Sequence, residues 1–136
     1  MGIYWDGDFL SEILDGTNVS KWDWMKEKSN LIFDAKNFQC DSNNGTKKNP
    51  ALVADLFGDW REEVIYRTAD NKELRVFSTT IPTNKRLYTF MHNPQYRLSI
   101  VWQNVGYNQP PHTDYYLDES LKEMPKPNII TKNLKK

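Results

Sequence analysis

Three short stretches of this 136-residue chain carry side chains that could do chemistry. Asn44-Gly45-Thr46-Lys47 is a polar turn ending in a lysine. Asp55-x-x-Gly58-Asp59-x-x-x-Glu63 and Asp6-Gly7-Asp8-x-x-x-Glu12 are acidic, glycine-containing segments. Hard cations such as calcium take several oxygen ligands at short spacing around a sharp turn, and glycine supplies that turn. Asp55, Asp59 and Glu63 offer three carboxylates in this manner, with Phe57 where such a loop would ordinarily have another acid. Asp6, Asp8 and Glu12 offer three more, with Tyr4 at the first position. Each reads either as a degenerate calcium loop or as a β-turn with solvated acids. In the Asn44 stretch, Gly45 lets backbone N–H groups approach an oxyanion or a sugar, Asn44 and Thr46 donate hydrogen bonds, and Lys47 adds charge. A plain surface turn is the other reading.

Strands must position these groups. Ala51–Leu56 and Glu63–Arg67 read as strands flanking the second acidic loop. Glu73–Thr80 reads as a third strand, in which Leu74, Val76 and Ser78 oppose Arg75, Phe77 and Thr79, and Leu87–Met91 as a fourth. Upstream, Ile3–Trp5 reads as the end of a strand that begins at Met1, and Asp6–Asp8 as a turn. Glu12–Leu14 reads as a short strand ended by Asp15-Gly16, Lys21–Met25 as another, and Leu31–Phe33 as a buried apolar segment. Asp41–Pro50 is a loop rich in Asn, Gly, Ser and Lys. Asn93-Pro94 is an N-cap followed by proline at the first helical position. It predicts one short, largely buried helix near 94–104, with Tyr96, Ile100 and Gln103 on one face. From Asn108 the chain is proline-rich, and 123–136 reads as an extended or disordered polar tail after a domain at 1–122. The fold class is all-β with that single helix.

One internal repeat is visible. Asp6-Gly-Asp8-x-x-x-Glu12-Ile13 aligns with Gly58-Asp59-x-x-x-Glu63-Val64, the paired residues lying 51 positions apart. A propeller blade is usually about 40–50 residues long.

Composition excludes several classes. Eighteen basic residues balance eighteen acidic ones, so no overall field favours nucleic acid or an anionic membrane. No apolar run approaches the roughly 20 residues of a membrane span. Cys40 is the sole cysteine, which rules out an internal disulfide and a thiolate metal cage and leaves it as a small core residue. His92 and His112 stand too far apart in sequence for a metal pair, and no Ser-His-Asp set, P-loop or dinucleotide fingerprint is present. Tyr107, at a loop start, is a sugar platform, a hydrogen-bond donor or simple packing. Asn18-x-Ser20 and Asn44-x-Thr46 match the glycosylation sequon. The residues from Met1 to Asp8 lack the basic start and apolar core of a signal peptide. Either the chain is cytoplasmic or its true beginning lies upstream.

Ala54-Asp-Leu-Phe-Gly-Asp-Trp-Arg-Glu-Glu63, Thr79-Thr-Ile-Pro-Thr83, Met91-His-Asn-Pro-Gln-Tyr-Arg97 and Trp102-Gln-Asn-Val-Gly-Tyr-Asn-Gln-Pro-Pro-His112 together resemble the C-terminal region of the family 11 rhamnogalacturonan lyases. Tyr4-Trp-Asp-Gly-Asp8 fits as well, so the resemblance runs in order along nearly the whole chain. It implies an eight-bladed β-propeller holding calcium ions, of which this chain would be about the last two blades and the closing segment. The upstream blades and a secretion signal would then precede it, and the whole protein would be extracellular. Such enzymes cleave rhamnogalacturonan I, the pectin backbone of alternating rhamnose and galacturonate, by β-elimination. By resemblance Lys47 is the candidate base, Asn44, Gly45, Thr46 and Tyr107 contact substrate, and Asp55, Asp59 and Glu63 form a structural calcium loop. Two blades cannot rebuild a cleft lined by loops from several, so this polypeptide alone is expected to be inactive. The alternative is a non-catalytic calcium- and carbohydrate-binding β module.

Overall fold

In the computed structural model, which describes residues 1–105, 109–121, 123–130 and 132, two antiparallel sheets pack on each other and a helix closes one edge. The first sheet is a meander of β1 (Gly2–Ile3), β2 (Glu12–Asp15), β3 (Asn18–Asp23) and β4 (Lys28–Asp34), in that spatial order. Its register is set by the two-residue turn Gly16-Thr17, where Gly16 takes φ +61° and Asp15 pairs with Asn18. A turn of 3-10 helix at Ala35–Phe38, capped by Asp34, leads to the second sheet.

The second sheet is built on β7 (Glu63–Thr68). One side of β7 pairs with β8 (Leu74–Phe77). The other pairs first with β5 (Cys40–Asp41), opposite Thr68 and Arg67, and then with β6 (Leu52–Ala54), opposite Ile65 to Glu63. β5 and β6 are therefore two halves of one strand position, interrupted by an excursion through residues 42–51. The neck of this excursion is closed by the Asn43–Asn49 bridge, where the Asn43 N–H donates to the Asn49 carbonyl at 2.7 Å.

Period-two burial explains how the sheets meet. Ile3, Leu14 and Val19 from the first face Val53, Val64 and Tyr66 from the second, with Trp5, Ala35 and Cys40 filling in. Phe33 and Phe77 close its margin, ring centroids 5.0 Å apart. Each large apolar side chain so buried contributes roughly 1.5–3 kcal/mol. The opposite faces are uncovered: Ile13 and Leu31 stay exposed on the first sheet, Val76 and Leu74 on the second. A second core of Phe9, Trp60, Phe90 and Tyr96 is made by the acidic loops and the helix.

The helix, α1 (Pro94–Trp102), starts as the sequence predicts, the Asn93 side chain accepting from the Tyr96 N–H at 3.0 Å. It is not largely buried. Tyr96, Ser99 and Gln103 are covered while Leu98 and Val101 are exposed, because a helix laid on a sheet edge buries only its 3–4-spaced stripe.

Three other expectations change. Leu87–Met91 is not a strand: it pairs with no neighbouring strand, the Phe90 N–H goes to the Asp55 carboxylate instead, and Phe90–His92 is a 3-10 turn. β8 stops at Phe77, short of Thr80; beyond it the Thr79 hydroxyl takes the Ile81 N–H and the chain leaves the sheet. Leu31 and Ile32 belong to the edge strand β4 and are exposed, so only Phe33 of that trio is partly buried. Among the described residues, no helix is long and apolar enough to cross a membrane, and none after Trp102 lies in a helix or strand.

Candidate functional site

The two acidic loops are one device built twice. Each runs between neighbouring antiparallel strands, from β1 to β2 and from β6 to β7, and its glutamate opens the returning strand. Glu12 Oε2 accepts from the N–H groups of Trp5 and Asp6 at 2.7 and 3.1 Å. Glu63 Oε2 accepts from those of Leu56 and Phe57 at 2.8 and 3.0 Å. Asp8 Oδ1 takes the Leu10 N–H and Asp59 Oδ1 the Arg61 N–H, at 2.7 and 3.1 Å. Gly7 and Gly58 make the turn at φ +89° and +76°, a left-handed conformation that favours glycine. All these pairs stand 51 positions apart, as do the pairings Ile3 with Glu12 and Ala54 with Glu63. The repeat is thus structural. The loops are joined directly: the Tyr4 N–H donates to Glu62 Oε2 at 2.9 Å, the Glu62 N–H to the Tyr4 carbonyl at 2.8 Å, and Phe9 meets Trp60 edge-on at 5.7 Å.

What fills the loops differs. Asp6, Asp8 and Glu12 converge, each offering an oxygen within 4.8 Å of the others. Lys21 on β3 lies among them, its Nζ 2.9 Å from Asp6 Oδ2, 2.6 Å from Asp8 Oδ2 and 2.7 Å from Glu12 Oε1. Burial pushes the Glu12 carboxyl up against the lowering pull of Lys21 and the Trp5 N–H. Burial would lower the Lys21 ammonium, but its bonds to Asp8, Glu12 and Asp6 outweigh that and hold it above the usual lysine range.

In the second loop the three acids do not converge: among the described residues, the first-loop trio is the only such group. Asp59 is turned to Arg61, 2.5 Å away. Glu63 faces Ser78, one step along the register from Val64–Phe77, just as Lys21 lies one step along from Ile13–Ser20. Asp55 is fully buried. Its Oδ2 accepts from the Thr89 hydroxyl at 2.6 Å and the Phe90 N–H at 2.9 Å, while Oδ1 has no hydrogen-bond partner. Beside it, the Tyr96 hydroxyl accepts from the Asp55 N–H at 2.8 Å and donates to Glu62 Oε1 at 2.7 Å. Burial, with Asp55 and Glu63 adding negative charge nearby, pushes the Glu62 carboxyl up to about 8 despite the bonds from Tyr96 and Tyr4. Burial likewise lifts the Tyr4 phenol to about 12.

Asn44, Gly45, Thr46 and Lys47 sit together at the exposed tip of the 42–51 excursion. Asn44 and Gly45 are both left-handed, at φ 57° and 38°, and a side chain added at Gly45 would meet nothing within 4 Å. The Lys47 N–H closes the turn on the Asn44 carbonyl at 2.7 Å. The root of the loop is rigid. Asn49 is buried, accepts from Asn44 Nδ2 at 2.8 Å and donates to Asn104, which donates to the Ala51 carbonyl at 3.1 Å. Arg67 grips the other side through Asn43 Oδ1 at 3.0 Å and the Ser42 carbonyl at 2.8 Å. The four polar residues are thus brought to one open tip, on the second sheet, whereas the convergent acids belong to the first. Tyr107 lies outside the described residues.

Sequence reasoning missed Lys21 and Glu62. The place of Lys21 depends on which residues make the turn: Gly16-Thr17 puts Lys21 opposite Glu12, whereas Asp15-Gly16, the pair that marks a turn in the sequence, would put Val19 there. Glu62 had no signal: Glu62 and Glu63 are both buried, and nothing in Arg61-Glu62-Glu63 says that the first of them reaches Tyr4 and Tyr96.

The model for the rhamnogalacturonan lyase family 11 C-terminal domain matches residues 1–127. The chain is 54% identical over 130 residues to rhamnogalacturonan endolyase YesW of Bacillus subtilis (strain 168), covering 96% of this chain and 21% of YesW. It is 51% identical over 135 residues to rhamnogalacturonan exolyase YesX of the same organism, covering 93% of this chain and 22% of YesX. The crystal structure of YesW superposes with a TM-score of 0.90 and 53% identity, over 97% of this chain and 22% of that one. A Bacillus licheniformis rhamnogalacturonan lyase, PL11, gives 0.89 and 51%, over 96% and 22%. The chain therefore spans 21% and 22% of the length of the two curated relatives. By a match that runs from its first residue almost to its last, this chain belongs to the C-terminal domain family of the family 11 rhamnogalacturonan lyases.

Proposed function

We propose that this chain is the C-terminal part of a calcium-dependent rhamnogalacturonan lyase, secreted in its full-length form, that cleaves the rhamnose–galacturonate backbone of pectin by β-elimination. One observation carries the reading: residues 1–127 match the family's C-terminal domain while the chain is half identical to relatives named an endolyase and an exolyase. The two sheets are read as two blades of an eight-bladed propeller. The 51-residue structural repeat supports this, as do the uncovered apolar outer faces, which neighbouring sheets of a longer polypeptide would bury.

The reaction needs a base for the C5 proton of galacturonate and positive charge beside its carboxylate. Lys47, on an exposed tip with a rigid root, is the residue we assign as base, with Asn44, Gly45 and Thr46 holding the sugar and Tyr107 assigned to the same contact by family resemblance alone. Calcium, when bound, would neutralise charge on carboxylates. The residue that fits it on structural grounds is Asp55, whose buried Oδ1 lacks a partner. Asp59 and Glu63 would complete that loop only after Asp59 leaves Arg61. A cleft assembled from several blades is absent from a two-sheet fragment, so the chain alone has no activity.

The test is ultraviolet absorbance of the unsaturated product. In the longer polypeptide, Lys47→Ala abolishes the rise while polymer binding persists, and the 136-residue chain alone gives none. Turnover by the fragment, or by the Lys47→Ala enzyme, sinks the proposal. A second reading, a non-catalytic carbohydrate-binding β module, is favoured by an open cleft of about 410 Å³ where Arg97, His92 and Lys126 meet Tyr88 and Tyr115, a lining suited to an acidic sugar. Polymer binding that survives Lys47→Ala but is lost with Arg97→Ala, with no turnover in the longer polypeptide, would select it.

A further inference from the structure

Three carboxylates drawn together invite a divalent cation, yet the first loop is already filled from within. We propose that Lys21 is the resident cation of the first acidic loop: its ammonium takes the place of a metal ion, and the loop binds none. The accounting of oxygens carries this. Each of the three carboxylates has one oxygen engaged by backbone: Asp6 Oδ1 by the Asp8 N–H, Asp8 Oδ1 by the Leu10 N–H, and Glu12 Oε2 by the Trp5 and Asp6 N–H groups. The remaining three, Asp6 Oδ2, Asp8 Oδ2 and Glu12 Oε1, all lie within 2.9 Å of Lys21 Nζ. An ammonium has three N–H donors and no acceptor, so donors and acceptors match one to one. Calcium asks for six to eight oxygens; each of the six carboxylate oxygens here already accepts a hydrogen bond, and the three that face inward all face the ammonium.

The sister loop supplies the contrast. There Ser78 holds the register position of Lys21, the Arg61 guanidinium pairs with Asp59, and the Asp55 carboxylate keeps an oxygen unpaired. A tethered charge also holds the loop at any calcium concentration, whereas a metal-filled loop opens when the ion is removed. The two sister loops therefore differ in kind: the acids of one are gathered on a lysine of the chain, and those of the other are not gathered.

Bound calcium, counted by equilibrium dialysis and metal analysis, tests this without any reliance on activity. Lys21→Met leaves three oxygens and three negative charges uncompensated, and is expected to bind one more calcium ion per chain than the parent. An unchanged count overturns the proposal. Should Lys21→Met fail to fold, Asp8→Asn in the parent decides: the proposal requires the same number of bound ions with and without the substitution. The loss of one ion in Asp8→Asn means that the parent loop held metal and overturns it.

Discussion

Replacing Gln103 by leucine should detach the helix from the second sheet. Gln103 is fully buried, its Oε1 accepting the Val53 N–H at 2.7 Å and its Nε2 donating to the Val53 carbonyl at 2.8 Å. Both groups of Val53 point away from β7, so the amide serves β6 as a one-residue neighbouring strand. Leucine keeps the bulk and leaves both backbone groups buried and unpaired. Each such group costs roughly 1–3 kcal/mol, and the gain from apolar burial of the leucine returns about 1–2 kcal/mol. For the two groups together the net loss centres on about 2.5 kcal/mol, a large share of the roughly 5–15 kcal/mol that holds a domain together. Urea unfolding reads the total. Hydrogen exchange at the Val53 amide reads the local effect, which should quicken about 100-fold for a loss near 2.8 kcal/mol. Gln103→Glu should cost less in acid, where a protonated carboxyl can still donate to the Val53 carbonyl. A loss below about 0.5 kcal/mol with unchanged Val53 exchange would refute the clamp and the docking of α1 with it.

Glu62 makes stability fall with rising pH. Its folded value of about 8 lies above the ordinary 4.5, so the folded state keeps a proton the unfolded state has lost. That contribution is whole below pH 4.5 and is lost as pH climbs to about 8. Glu62→Gln should flatten the melting temperature across this window, and an identical slope in the variant would contradict it. Gly7→Ala places a Cβ 2.7 Å from the Thr83 Cβ at φ +89°, and should cost about 2–4 kcal/mol in thermal unfolding. Gly45→Ala, with open space around it, should cost about 1 kcal/mol at most; equal losses would show that crowding at Thr83 does not matter. Calcium at about 100 times its dissociation constant should stabilise the parent by about 2.7 kcal/mol and leave Asp55→Asn unmoved. A full gain in Asp55→Asn would remove that residue from the metal site.

Much of the fold is written locally. Gly16 marks the turn of the first hairpin, Asn93-Pro94 gives the helix start, and Leu52 to Ala54 and Glu63 to Thr68 are plain strands. The 51-residue offset of the acidic loops is legible because glycine and the acids each do a local job, turning the chain or capping its N–H groups. What was not legible depends on partners distant in sequence. Leu87–Met91 has the residue types of a strand, but its Phe90 N–H is taken by Asp55, more than thirty positions upstream. β5 is two residues long and exists because β7 lies next to it. The candidate site divides the same way. Asn44 to Lys47 announce a turn by composition, whereas Asp55 and Glu62 become a buried pair only when Tyr96 and Tyr4 arrive from either end of the chain.

The split strand formed by β5 and β6 has a bearing on how this protein can vary. Both halves are anchored on one unbroken partner, so register is guaranteed on each side of the excursion regardless of its length. Lengthening a loop costs little, about 0.6 kcal/mol for each doubling. The excursion can therefore lengthen or shorten on either side of the Asn44–Lys47 tip without a register shift propagating through the sheet. Asn43, Asn49 and Arg67 at its base carry the structural constraint, and the four residues of the tip carry the chemical one.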